Sequence, residues 1–588
     1  MELPEQPRRR NRSSQLENST ELTHSIHNHS THSIGAISNA SATTALEHQQ
    51  HHRHLNSGDD RDHVQHADIA LGFVDIYQSL TPRQVGVIAV GSAIGTGLMI
   101  GTARALTMSG PAAMVISYTF VGFAVYLVLL ALGEVAAWLP RPYTVADQAV
   151  RFVDPALGFS LGWIYWLKYA IVTPNQLTAA ALVISYWIDP QWINPGVWIT
   201  VFLTVITILN FLHHRLPSQV EFYVSSFKLL VMSALMILSL VIALGGGPDH
   251  DRRGFRYWSE PERLNTLGSR VNLTLVEKFL EICATMSSAT FAFIGSERSG
   301  IMVKSPNVRK AISRAIKHTF YRVLVFHLLG ITLLGMLVPR NSSALSFSCE
   351  PGKRPGRGSA ASPFVAAIYL SGIAIVPDIL NGCILLFVLS IANYDLYLAT
   401  KAMCDLSLKH RAPSFLLRTN RRGVPVYALS VCSVVATLAY VNVTKDSRIV
   451  FGYFVDMTTM LGILVWVSIL ITHIAFVRAR KAQGIPEDTL TFRARFGLAG
   501  TWLALILCLF ISITLVVGSF RFNPEGKLMF NYRAVVATYV GLPIYLILIV
   551  GYKLVMRTKR VNPKEADMWT GKLDVRLTRP GAIEIVVA

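Results

Sequence analysis

Two glycine-containing segments, far apart in the chain, interrupt otherwise apolar stretches. The first, Val90–Thr102, carries Gly91, Gly95, Gly97 and Gly101. Glycine is the poorest helix former after proline. The segment therefore indicates either close helix packing, since the glycines also satisfy GxxxG, or a helix broken within the membrane whose amides bind an anionic group. The glycines alone leave both interpretations open.

The second segment, Phe291–Gly300, places Glu297 and Arg298 between Gly295 and Gly300. Charged side chains inside a membrane are costly and indicate function. This segment therefore predicts a second broken helix, with ionisable groups beside it. Two broken helices in corresponding positions are typical of transporters whose substrate site lies where two inverted repeats meet.

Further ionisable residues occur in or beside apolar stretches: Lys168, Lys228, Asp456, Glu134, Asp378 and Asp395. No nucleotide-binding loop or catalytic triad accompanies them, and the six cysteines show neither metal-ligand spacing nor a disulfide framework. We therefore expect transport rather than enzymatic chemistry, without a metal or other cofactor.

The elements that must position these residues are membrane helices. Of the 588 residues, 52% are hydrophobic and 15% are charged, whereas a soluble chain carries about 25% charged residues. The apolar residues recur in stretches of about 20, the length that a helix needs to cross a bilayer. A soluble enzyme is excluded, and the net charge of +19 is explained by loops and tails beside anionic lipid rather than by nucleic acid.

We predict twelve spans, named first to twelfth in chain order: 85–105, 112–138, 157–187, 192–212, 222–246, 279–301, 319–338, 364–397, 424–443, 451–477, 498–520 and 533–556. Loops on the side of the termini carry more Lys and Arg than the opposite loops, which places both termini in the cytosol. Glycosylation triplets at Asn272, Asn341 and Asn442 fall in or beside the opposite loops and agree with this orientation.

The expected domains follow from these spans. Residues 1–80 form a polar, low-complexity tail that we expect to be disordered and to be where cytosolic trafficking or ubiquitination partners bind. Residues 81–556 form the membrane core, and 557–588 a cytosolic C-terminal tail. Within the core, repeat one covers 81–247, repeat two 279–478, and the last two helices 498–556.

Several short motifs resemble those of fungal amino-acid permeases of the amino acid, polyamine and organocation superfamily, over roughly residues 75–560. These motifs are Ile94–Leu98, Gly133–Ala136, Val153–Gly158, Tyr165–Trp166, Phe293–Glu297, 307–314, Asn393–Tyr397 and Asn420–Pro425. The resemblance implies an all-α polytopic fold of twelve helices, the first ten in a five-plus-five inverted repeat. It also implies import of amino acids with protons by alternating access. The third span, at 168–183, resembles the dicarboxylic branch of this family.

The resemblance also implies a substrate site. The amides of Gly95, Thr96 and Gly97 match the segment that holds the substrate carboxylate. Phe291 matches an aromatic gate, although a Phe in this position is more often simple packing. The remaining matches are the ammonium-binding carbonyls of Ala292, Phe293 and Ile294, and the selectivity position Thr458.

For proton coupling, the resemblance points to Lys228 and Glu297, with Asp456 next. Two alternatives stay open. Lys228 equally fits a structural tether to the first-helix backbone, and Glu297 fits a buried partner for Arg298 or Lys228.

Three departures from the family make the interior more positive: Lys168, Gln176 in place of a glutamate, and Arg298. They favour an acidic substrate, with Lys168 as the partner of its side-chain carboxylate. In the alternative, Lys168 extends to the membrane interface and Arg298 pairs with Glu297, which leaves a site for neutral or varied amino acids. A non-transporting amino-acid sensor of the same fold is a further alternative. We expect the protein in the plasma membrane.

Overall fold

The computed structural model describes most of the chain that follows the N-terminal tail. The described residues are 87, 91, 94–139, 144–212, 216–258, 262–264, 270–272, 275–297, 320–321, 323–348, 359–443, 446–490, 492–517, 520–522, 528–570, 573–578 and 582–587. The predicted N-terminal tail 1–80 and Arg298 lie outside them.

Helical segments occupy all twelve predicted spans, which confirms the all-α polytopic class. In the described part of the chain, eight helices are long and apolar enough to cross a membrane: Gly101–Trp138, Pro195–Leu212, Gln219–Ala243, Val376–Leu408, Val426–Val443, Ser447–Ala482, Gly497–Thr514 and Tyr532–Met556. The third and sixth spans are the helices Pro155–Ile184 and Leu275–Phe293. In the seventh span, the π-helical segment Val323–Leu329 precedes the α-helix Gly330–Leu337.

The first span is a broken helix that runs on into the second. A short helix, Thr96–Met99, ends at Ile100, and the long helix Gly101–Trp138 follows. This long helix is itself interrupted at Gly110, where φ is +78° and Pro111 follows. A positive φ is readily adopted only by glycine, so Gly110 forms the sharp turn between the first two spans, just beyond the predicted end of the first.

The predicted boundaries of the eighth span, 364–397, are wrong. The structure instead has two helices, Pro363–Leu370 and Val376–Leu408. Between them the chain turns at Gly372, where φ is +77°. The apolar character of this region continues through the turn, so hydropathy alone placed both ends of the span too early in the chain.

The remaining elements are shorter helices and strands. The ninth span passes from the α-helix Val426–Ala436 into a 3-10 helix, Thr437–Val443, and the twelfth consists of Tyr532–Tyr539 and Gly541–Met556. The short strands that the structure describes form three antiparallel hairpins: Glu262–Leu264 with Arg270–Asn272, Phe520–Phe522 with Leu528–Phe530, and Leu573–Thr578 with Ala582–Val587.

Polar caps set the start of several helices. The short helix Val145–Phe152 begins with a capping box, in which Thr144 and Asp147 bond each other's backbone amides. The third span begins where the Asp154 side chain accepts a hydrogen bond from the Ala156 amide. Such caps satisfy amides that have no partner within the helix.

The third span is the centre of the bundle, because the eighth and tenth spans pack along it. Its residues from Lys168 to Ile184 are all buried. The fourth span lies at the periphery, where Val197, Val201, Val205 and Ile208 remain exposed. Their spacing of three to four residues places them on one helix face, which is the face expected to contact lipid.

A C-terminal segment, residues 557–570, folds back onto the ends of several spans. The Val561 amide donates to the Val153 carbonyl at 2.9 Å, and Trp138 Nε1 donates to the carbonyl of the fully buried Met568 at 2.8 Å. Arg151 forms an ion pair with Asp567 at 2.9 Å. This segment therefore ties the twelfth span to the end of the second span and to the short helix Val145–Phe152 that precedes the third.

Candidate substrate and coupling site

The broken segments of the first and sixth spans meet at Gly97 and Ala292. A Cβ atom built on Gly97 would lie 2.5 Å from Ala292 Cα, closer than any side chain permits. Gly91 approaches the fifth span in the same way, since its Cβ would lie 2.3 Å from Ser225 Cβ. The helix is therefore broken, as one interpretation of the glycines predicted, and its glycines also allow the close packing that the other predicted; anion binding by its amides stays a prediction.

The first break lies at Ile94 and Gly95. Gly95 is extended, with φ −134° and ψ −160°, and the helix restarts at Thr96. The amides of Leu98 and Met99 donate back to the Gly95 carbonyl at 3.1 and 2.9 Å. Because amides in the first turn of a helix have no acceptor within it, Gly95, Thr96 and Gly97 present donors at this break.

The sixth span stops being helical after Phe293. Gly295 has a φ of +90°, and its amide donates to Glu297 Oε2 at 3.0 Å. The Ser296 amide and hydroxyl both donate to the Phe293 carbonyl, at 3.2 and 2.7 Å. The Ala292 carbonyl, to which a regular helix would direct the Ser296 amide, thereby loses its helical donor.

Lys168 and Glu297 form a buried ion pair beside this break. The ammonium contacts Glu297 Oε1, and the two side chains are 0% and 1% exposed. The Lys168 Nζ also lies 4.5 and 4.4 Å from the ring centres of Tyr165 and Tyr169, which are favourable cation–π distances. Trp466 Nε1 donates to Glu297 Oε2 at 3.4 Å.

This ion pair corrects two expectations. Glu297 pairs with Lys168, whereas Lys228, one of its expected partners, pairs with Glu221. Lys168 does not extend to the membrane interface, because it is wholly buried. It is also not an unpaired cation, so a substrate carboxylate would meet an ammonium that Glu297 already neutralises.

Lys228 belongs to a second buried cluster. Its Nζ lies 3.0 Å from Glu221 Oε1, which also accepts a hydrogen bond from Ser225 at 2.9 Å. Glu221 Oε2 accepts from Ser390 of the eighth span at 2.6 Å. Since Ser225 packs against Gly91, the cluster reaches the first span through Ser225, whereas the expected tether was Lys228 itself.

Gln176 lies two helical turns beyond Lys168 on the third span. Its Nε2 donates to Asp395 Oδ2 of the eighth span at 3.2 Å, and both side chains are buried. The expected substrate-binding residue thus joins two spans in this structure, while its Oε1 has no hydrogen-bond partner within the described residues.

Several other buried polar groups also lack a partner in the described part of the chain: the Thr458 hydroxyl, the Ser288 and Thr290 hydroxyls, and both amide atoms of Asn175. Buried polar groups are nearly always hydrogen-bonded, so these are candidates to bind substrate or water. Thr458 was expected from the sequence, but the others were not. Ser288 and Thr290 precede the sixth break by less than two turns, and this proximity is the signal that could have identified them.

An ion pair between Arg104 and Asp456 was also missed. It is bidentate, with both N–O distances 2.9 Å, and Ser287 donates to the same carboxylate. These contacts join the first, sixth and tenth spans. Phe291, the expected gate, packs edge-on against Phe451 of the tenth span, with ring centres 6.4 Å apart.

One of the three glycosylation triplets is buried. Asn442 is 2% exposed, and its Nδ2 donates to Thr178 Oγ1 of the third span at 2.8 Å. A buried amide in a hydrogen bond is not accessible for glycosylation, so Asn442 does not support the orientation of the chain.

The chain is similar over most of its length to known permeases. Residues 84–564 match the model of a family described as "Amino acid permease". The chain is 41% identical over 84% of its length to the dicarboxylic amino acid permease of Saccharomyces cerevisiae, of which 80% is covered. It is 36% identical over 82% of its length to an uncharacterised amino-acid permease of Schizosaccharomyces pombe, covering 90% of it. It is 35% identical over 85% of its length to the proline-specific permease of Saccharomyces cerevisiae, covering 79%.

Proposed function

Since this chain belongs to the amino acid permease family, we propose that it imports glutamate and aspartate together with protons, by alternating access. It is a multi-pass membrane protein of a family of permeases, not of enzymes. We assign it to the plasma membrane with both termini in the cytosol, on the distribution of basic residues between its loops. The dicarboxylic amino acid permease among its relatives supports an acidic substrate.

The two breaks supply the groups that an amino acid's backbone needs. We assign the substrate α-carboxylate to the amides of Gly95, Thr96 and Gly97, at the start of a helix where anions are favoured. We assign its ammonium to the carbonyls of Ala292 and Ile294. The Phe293 carbonyl, also expected in this role, already accepts two hydrogen bonds from Ser296, so it is the weakest of the three acceptors.

Lys168 is the residue on which we base the proposal that the substrate has an acidic side chain. It is a wholly buried cation, and through Glu297 it is joined to the Gly295 amide at the sixth break. Moving a carboxylate out of water is costly unless a fixed opposite charge receives it. A cation held in this position selects against basic substrates, because it would repel them.

Coupling to protons requires an ionisable group that changes its charge during the cycle. Glu297 and Lys228 are the candidates, since each is buried and each has an oppositely charged partner. Gain or loss of a proton changes the net charge of either buried pair. The transport cycle is therefore expected to depend on pH.

One observation favours a second candidate, a permease for neutral amino acids. Because Glu297 neutralises Lys168, the pair as a whole carries no net charge. A neutral substrate would bind beside the intact pair without disturbing it. The proline-specific relative is, by its name, a permease for such a substrate.

The test is uptake of a panel of radiolabelled amino acids by a yeast strain that lacks its own permeases. We expect saturable uptake of glutamate and aspartate that is abolished by a protonophore. Preferred uptake of proline or leucine would favour the neutral alternative, and preferred uptake of arginine would exclude both candidates. Uptake that does not saturate would contradict a carrier mechanism.

A further inference from the structure

The contacts of Glu297 engage both of its carboxylate oxygens. Oε1 contacts the Lys168 ammonium, and Oε2 accepts from the Gly295 amide at 3.0 Å and from Trp466 Nε1 at 3.4 Å. A substrate carboxylate that approaches Lys168 must therefore compete with Oε1 of Glu297. Substrate binding and this ion pair cannot both persist unchanged.

Counting charges shows what the competition requires. The pair alone sums to zero, and an acidic side chain placed at the same ammonium would leave one uncompensated negative charge where neither side chain is more than 1% exposed. Buried charge without a partner is strongly unfavourable. One proton on Glu297 restores neutrality, because the protonated carboxyl no longer needs the ammonium and can donate or accept as a neutral group.

Resting on the proposed function, we propose that Lys168 exchanges partners during transport: the side-chain carboxylate of the substrate replaces Glu297, and Glu297 takes up the transported proton. The proton arrives from the outer solution with the substrate. Once the substrate has left toward the cytosol, Lys168 attracts the Glu297 carboxylate again, and the proton is released on that side. One negative side chain and one proton cross together, so the site remains neutral throughout.

The other groups that face Glu297 do not replace this proton acceptor. From the third span it meets Lys168, whose ammonium lies over the rings of Tyr165 and Tyr169. From the tenth span it meets the uncharged indole of Trp466, and on its own segment the Gly295 amide. Other ionisable residues of the bundle engage different partners, among them Arg104 with Asp456, Lys228 with Glu221, His473 with Glu134, and Asp395 with Gln176. The buried His327 of the seventh span stacks on Phe293, with ring centres 4.7 Å apart. Arg298 lies outside the described residues and enters the test below as a variant.

The exchange of partners also affects the break in the sixth span. Glu297 Oε2 receives the amide of Gly295, whose φ of +90° shapes the break. A protonated carboxyl accepts hydrogen bonds more weakly than a carboxylate. Protonation of Glu297 therefore loosens the turn that separates the sixth-span helix from the chain that follows, at the moment when substrate is bound.

The first test measures proton uptake by the unmodified protein. The purified full chain, in detergent and weak buffer near neutral pH, is mixed with glutamate or glutamine while an indicator dye follows the pH. We expect the uptake of about one proton per glutamate bound and none with glutamine, because binding that depends on a protonated group must take up protons. Glutamate binding without proton uptake would overturn the exchange and leave the proposed substrate standing. Failure to bind glutamate at all would contradict the proposed function itself.

The second test uses Glu297→Gln in proteoliposomes, where glutamine mimics the protonated carboxyl. We expect the KM for glutamate of the unmodified protein to rise by up to about tenfold per pH unit, and that of Glu297→Gln to be independent of pH. Counterflow of glutamate should persist in this variant, whereas accumulation driven by a proton gradient is lost. The exposed Lys481→Met serves as a control with unchanged pH dependence. If the KM of Glu297→Gln still rises with pH, the exchange is overturned. It is also overturned if the pH dependence of KM is lost in Arg298→Gln but not in Glu297→Gln.

The double variant Lys168→Met/Glu297→Gln removes both charges together and leaves no ion of this pair unpaired. We expect it to bind glutamine in place of glutamate, without proton uptake. This outcome separates the exchange from a merely structural ion pair, whose joint removal would leave the choice between glutamate and glutamine as it was.

Discussion

Gly97 of the first span and Ala292 of the sixth are in direct backbone contact, so that a Cβ atom at position 97 would lie 2.5 Å from Ala292 Cα. The contact joins the segments that we assign to the carboxylate and the ammonium of the substrate. Only glycine allows two backbones to approach so closely, and the distance between the two half-sites depends on it.

The first prediction is that Gly97→Val abolishes uptake, to below about 1% of the unmodified rate, because overpacking at a rigid contact displaces the broken segments. Initial rates of glutamate uptake measure the effect, with surface biotinylation to show that the protein reaches the membrane. Gly551→Val is the matched control, since a Cβ at Gly551 would meet nothing within 4 Å. Normal kinetics in Gly97→Val would remove the basis for this site.

The second prediction concerns the fifth span. Lys228→Met leaves Glu221 buried without its cation, and we expect it to impair both stability and accumulation, because an unpaired buried charge costs about 3–5 kcal/mol. Thermal unfolding and concentrative uptake are the measurements. The double variant Lys228→Met/Glu221→Gln distinguishes the roles. If Lys228 couples protons, the double variant regains stability and not accumulation, whereas recovery of both would show that the pair is structural.

The third prediction addresses the pH dependence of stability. Partial burial raises the pKa of Asp154, but hydrogen bonds from Lys553, the Ala156 amide and Thr558 lower it more, and the net pKa lies below its usual value. A carboxyl with a lowered folded-state pKa stabilises the protein above its unfolded-state pKa of about 3.9, and this contribution is lost as the pH falls through the folded-state pKa.

We therefore expect the unfolding temperature of the detergent-solubilised protein to fall on acidification below about pH 4, and to fall less in Asp154→Asn. At neutral pH the variant should be less stable than the unmodified protein. The exposed Asp488→Asn is the control and should follow the unmodified curve. Parallel curves for Asp154→Asn and the unmodified protein would refute the assigned role of Asp154.

Sequence alone predicted both breaks, because the low helix propensity of clustered glycines stands out inside apolar stretches. It also predicted the family, which the match over residues 84–564 confirms. The Lys228–Glu221 pair could also have been predicted, since the two residues are seven apart on one helix and share a face.

The partner of Lys168 could not be predicted from the sequence. Lys168 and Glu297 are 129 residues apart and lie on different spans. Helical periodicity predicts which face of its helix each residue occupies, but not which residue of another helix it contacts. The two alternatives considered for Glu297 were nearby in sequence or already suspected of coupling, and neither criterion finds a contact made by tertiary packing. The ion pair of Arg104 was not predicted for the same reason, because its partner Asp456 is 352 residues away.

The central claim is that Lys168 receives the side-chain carboxylate of an acidic substrate, and the direct measurement is the ratio of glutamate to glutamine uptake in Lys168→Met. Loss of a charged hydrogen-bond partner costs about 2 kcal/mol or more, roughly thirtyfold in rate. We predict that the ratio falls by at least that factor in Lys168→Met, where the unpaired Glu297 lowers the uptake of both amino acids, and that Lys481→Met leaves the ratio as it is in the unmodified protein. A ratio that does not change in Lys168→Met, with glutamate still transported, would contradict the account.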